Sequence, residues 1–141
     1  MSGGPSSESG GPLGLEVWAR PEHLIVHPAG ADLPPGGTRS HLSDARTVSW
    51  SPRLPDGVRC AIDAEIADQP VPAALAARFG RSDPESFWPV WTRVEVCCKL
   101  QDVPVLAWLG RHGLTPDKAV PTRMLRVGDL LICCGAYCCC C

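Results

Sequence analysis

Residues 58–66 read Val-Arg-Cys-Ala-Ile-Asp-Ala-Glu-Ile. Val58, Cys60, Ile62, Ala64 and Ile66 alternate with Arg59, Ala61, Asp63 and Glu65. A period of two marks a strand with one buried and one wet face, because successive Cβ atoms point to opposite sides of a pleated chain. Cys60 and Ile62 fall on the face expected in the core, and Asp63 on the face expected in water. Residues 92–101, Thr-Arg-Val-Glu-Val-Cys-Cys-Lys-Leu-Gln, carry a similar signature. Val94, Val96, Cys98 and Leu100 share one side; Arg93, Glu95, Lys99 and Gln101 share the other, with Cys97 among them. The spacing predicts a second strand there, with Val96 in the core and Glu95 solvated. One wet face on each argues for antiparallel pairing, since parallel sheets are usually covered on both sides.

Around these stretches the chain is heavily punctuated, with 15 prolines and 14 glycines. Leu15–Trp18 and His23–His27 predict two short strands separated by Pro21. Ala29–Gly37 is a loop by its Pro-Pro and Gly-Gly pairs, and Arg46–Ser51 a strand that ends at Pro52 before a turn at Pro55-Asp56-Gly57. Pro72–Phe79 predicts a helix, with Leu75 and Phe79 four apart and Gly80 as its stop. Ser82 and Glu85 have capping-box spacing, but Pro89 should limit that helix to a turn or two. Asp102 is placed to cap a helix over Pro104–Leu109, and Thr115-Pro116-Asp117 to open a single turn. Met124–Val127, a turn at Gly128-Asp129, and Leu130–Cys133 predict a hairpin. The sum is an α+β fold: a small strand-rich domain with an antiparallel sheet and short inserted helices.

Composition bounds the function classes. A chain of 141 residues, 45% hydrophobic and 20% charged, fits one globular domain. A net charge of −2 with interspersed signs gives no electrostatic footprint for nucleic acid. Residues 2–12 hold only Ser, Gly, Pro and one Glu, with neither the basic nor the apolar region of a secretory signal. The division expected is a disordered tail over residues 1–14, one domain over residues 15–132, and a cysteine-rich tail over residues 133–141. Without a secretory signal, a cytoplasmic chain with reduced thiols is expected.

That last segment, Cys-Cys-Gly-Ala-Tyr-Cys-Cys-Cys-Cys, holds six of the nine cysteines in the chain: Cys133, Cys134, Cys138, Cys139, Cys140 and Cys141. Neighbouring residues of a strand face opposite ways, so no single buried site needs such a run. Its chemistry is that of a handle. Several acceptor thiols beside Leu130, Leu131, Ile132 and Tyr137 could carry fatty acyl chains, and two such anchors make membrane attachment stable. The residues following Cys138 are not aliphatic and the last is cysteine, which argues against prenylation. The rival is a thiolate metal or redox site, but the segment has a single C-x₂-C spacing, Cys138 to Cys141, and not the two such pairs that bring four sulfurs to one ion. All six are taken as lipid attachment sites, and no metal ligand or cofactor is assigned.

No catalytic residue is assigned either. G-x-S-x-G, a Gly-rich phosphate loop and a telling carboxylate pair are all absent. His23 and His27 are four apart, but Leu24-Ile25-Val26 favours a strand, on which they would stand about 13 Å from each other. Phe87, Trp88 and Trp91 cluster around Pro89 and are the candidates for a partner-binding aromatic patch. These features predict a non-enzymatic accessory or host-modulating protein of viral character. It would be held on internal membranes by its acylated tail and would act on a protein partner, with no nucleic acid.

Overall fold

The structure, a computed structural model, describes residues 14–139; the segment before Gly14 and the final Cys140 and Cys141 lie outside the described residues. Six strands and four helices follow in order: α1 (Leu15–Trp18), β1 (Leu24–His27), β2 (Thr38–His41), β3 (Thr47–Trp50), β4 (Val58–Ile66), α2 (Ala73–Phe79), α3 (Pro84–Gln101), α4 (Val105–His112), β5 (Thr122–Val127) and β6 (Leu130–Cys138). They make two antiparallel three-stranded sheets, ordered β1-β3-β2 and β4-β6-β5. The fold is α+β.

The alternation over residues 58–66 does make a strand. β4 pairs with β6 along its whole length, from Val58 opposite Cys138 to Ile66 opposite Leu130. Its apolar side, with Ile62 and Ala64, meets Ile132, Cys134 and Ala136 of β6, Leu125 of β5, Val48 and Trp50 of β3, and Leu15 and Ala19 beside α1. Its other side is not wet. α3 lies across it, and Ala61 and Cys133 pack with Val96, Cys97 and Leu100. The helix comes so close because the sheet is small-sided there. A Cβ on Gly135 would collide with Val96, so Gly135→Ala should cost about 2 kcal/mol in a denaturant titration through overpacking.

Residues 92–101 are helical, which corrects the second predicted strand. The alternation arises from two helical stripes. Val96, Cys97 and Leu100 face the sheet, while Val94 and Cys98, with Val90 and Trp91, face Trp108 and Leu109 of α4. Offset by two positions, the stripes superpose into an apparent period of two. Pro89 does not stop the helix either. It stands sixth in an 18-residue element, where its missing N–H removes one backbone bond, to the carbonyl of exposed Glu85. The N-cap is Asp83, whose carboxylate accepts from the Glu85 amide at 3.1 Å, rather than Ser82. Asp102 closes α3 in the left-handed conformation, φ 54°, instead of opening α4.

Three further readings move. Leu15–Trp18 is a helical turn and not a strand. β2 was not expected, because Thr-Arg-Ser-His has no apolar alternation. Around Thr115-Pro116-Asp117 there is no helix; the Asp117 carboxylate instead accepts from the Ala119 amide at 2.9 Å. The β5–β6 hairpin forms over its Gly128-Asp129 turn as its sequence implies.

The two sheets meet where β2 lies beside β4. Thr38 Oγ1 accepts from the Ile62 amide at 3.3 Å and Ser40 Oγ from the Ala64 amide at 2.8 Å. The partners advance together along both strands, so β2 and β4 run parallel, joined by side-chain hydroxyls where a ladder would use carbonyls.

Candidate functional site

The four described cysteines of this cluster, Cys133, Cys134, Cys138 and Cys139, fall into two groups. β6 continues through Cys138, so the segment set at residues 133–141 begins inside the sheet and not after the domain. Cys133 and Cys134 are its fourth and fifth residues and have 0% exposure. Cys133 faces α3 and Cys134 the opposite core, because successive strand residues alternate. Burial, reinforced by neighbouring Cys134, pushes the Cys133 thiol far up. Burial, then Cys60, pushes Cys134 up to about 12. Acyl transfer needs an accessible thiolate, and these two offer neither access nor charge. Their assignment as lipid attachment sites is therefore corrected: they are core residues.

Cys138 is half-buried and Cys139 exposed. The Cys139 amide donates to the Gly57 carbonyl at 3.0 Å, which fixes the point where the chain leaves the sheet. Arg59 lies within electrostatic reach of the Cys139 thiol. Cys140 and Cys141, the other two assigned attachment sites, lie outside the described residues. Among the described residues no three His, Cys, Asp or Glu side chains are grouped to hold a metal ion, and no helix is long and apolar enough to cross a membrane.

The aromatic trio is not a surface patch. Phe87 and Trp88, at 0% and 4% exposure, are buried; they meet edge-on with ring centroids 4.9 Å apart. The Trp88 indole donates to the Gln69 carbonyl at 2.9 Å, a bond that pins the loop after β4 to the helix. Trp91 is half-buried and stacks on Phe87 at 5.6 Å. A helix start that presses two aromatics inward leaves Trp91 alone of the three partly exposed. His23 stands outside β1, and His27 within it bonds Ser49 Oγ at 2.8 Å.

One group was misplaced by the alternation altogether. Asp63, expected in water, is 7% exposed beneath α3. Lys99 Nζ donates to the Ile62 carbonyl at 2.8 Å and reaches Asp63 Oδ1 at 3.4 Å. Ser40 Oγ approaches the same oxygen at 3.4 Å, while Asp63 Oδ2 is buried with no hydrogen-bond partner among the described residues. Burial dominates and raises the carboxyl to about 8, with Lys99 opposing and Glu65 and Glu95 adding. Glu65 and Glu95 are themselves raised, chiefly by burial. The signal that could have found this cluster is the Glu95–Lys99 spacing of four, which pairs side chains only on a helix.

No protein-family model, curated protein or solved structure matches the chain.

Proposed function

We propose that the chain is a non-enzymatic accessory protein, a small interaction domain tethered to internal membranes by S-acylation at Cys138, Cys139, Cys140 and Cys141. The observation that carries this reading is the exposed Cys139 thiol where β6 leaves the sheet, followed at once by two more cysteines. An exposed thiol serves no packing purpose, whereas two acyl chains suffice for stable anchoring at about 0.8 kcal/mol per buried CH₂. The small size, 141 residues, together with such a tail suits a viral, host-modulating role with a protein partner, reached from the cytoplasmic side.

In eukaryotic cells the full chain should fractionate with membranes. Replacing all four of these cysteines by serine should move it to the soluble fraction with its far-ultraviolet dichroism unchanged. Single replacements should do little, because the remaining acceptors still supply two chains. Soluble wild-type protein, or a quadruple variant that stays on the membrane, would overturn the proposal.

A further inference from the structure

The seam between the sheets converges on one acidic side chain. Two amides of β4 are held from β2 by hydroxyls alone, Ile62 by Thr38 and Ala64 by Ser40. The Ile62 carbonyl is held from α3 by Lys99. Ser40 and Lys99, two of these three clasps, both reach Asp63 Oδ1, and the second oxygen of that carboxyl is buried with no partner among the described residues. An ionised carboxylate there has two long donor contacts, both at 3.4 Å and both on Oδ1, and none on the buried Oδ2, which leaves the charge under-served. The nearest route to such donors is water entering where no backbone ladder resists it.

We propose that Asp63 is a proton-operated latch on this seam: with the carboxyl protonated β2 stays closed on β4, and with it ionised the seam opens locally to water. The groups facing Asp63 set the sign. Lys99 of α3 favours the ionised form; Glu95 of the same helix and Glu65 of β4 oppose it. Cys133, its cross-strand partner on β6, is held as the neutral thiol by burial. Burial outweighs Lys99, so the closed form holds its proton up to about pH 8, whereas a hydrated carboxyl loses it near 3.8. A folded pKa raised above the open value means that closure is fully favoured below about pH 4 and weakens as pH rises to about 8. Within that window each pH unit is worth about a tenfold change in the closed-to-open ratio.

Amide hydrogen exchange on the full chain, corrected for the intrinsic pH dependence of exchange, tests this at single residues. Protection of the Ile62 and Ala64 amides should fall by about tenfold per unit from pH 6 to pH 8, relative to the Ile132 and Cys134 amides in the middle of β6. Asp63→Asn should make that ratio independent of pH. Lys99→Gln removes the opposing cation and should carry the fall on past pH 8, where the wild-type ratio levels off, so a second variant reports should Asp63→Asn not fold. Parallel loss at all four amides would show global destabilisation without a latch. A ratio that does not change with pH in the wild type, or that changes equally in Asp63→Asn, would also overturn the proposal.

Discussion

Ile62→Asp should unfold the domain, at a cost above about 4 kcal/mol. Ile62 has no exposed surface and sits between Ile132 and Cys134 of the neighbouring strand and the Val48 and Trp50 side chains of the other sheet. The change removes about 2 kcal/mol of apolar burial and sets a carboxylate where nothing donates to it. It also strikes the strand at the seam, where the Ile62 amide already relies on a single hydroxyl. Loss of the cooperative transition in urea, monitored by tryptophan fluorescence, checks this. A variant that unfolds at the wild-type midpoint would place residue 62 on the surface.

Phe87→Ala should cost about 4 kcal/mol, in the range for deleting a buried aromatic side chain. Phe87 is fully enclosed and contacts Trp88 edge-on and Trp91 face-to-face, so the deletion leaves a cavity among rings that cannot collapse into it. Trp91→Ala, at a half-buried position, should cost less than half as much by the same measurement. Were Phe87 a binding residue, its removal would leave the urea midpoint in place and weaken only association; the expected result is the reverse.

The strands were legible where one periodicity acts alone. β4 has apolar residues on one side throughout, and the hairpin of β5 and β6 is marked by Gly128-Asp129. α2 was legible through Leu75, Phe79 and the left-handed Gly80, φ 65°. Where two periodicities superpose, local pattern misleads. Val94, Val96, Cys98 and Leu100 alternate only because α3 is buried on two sides at once. That error propagated, since a helix at residues 92–101 is what covers the second face of β4 and buries Asp63. β2 was invisible for another reason: Thr38 and Ser40 are there to accept hydrogen bonds, and hydroxyl residues also fill loops.

The cysteine segment shows the same division. Its density reads as a chemical handle, yet sheet pairing claims Cys133 and Cys134. No signal in the run itself separates them from Cys138 and Cys139. The separation comes from β5, which pairs with Cys133 and Cys134 on the other side of β6 but ends before Cys138, so that the first two lie inside the sheet and Cys138 at its end.

The most direct test of the tether is the mass of the full chain purified from eukaryotic cells, followed by peptide mapping with and without hydroxylamine. The account predicts thioester-linked fatty acyl groups, removed by hydroxylamine, on the peptide carrying Cys138–Cys141, and none on Cys133 or Cys134. An unmodified peptide, or acyl groups on the two buried cysteines, would contradict it.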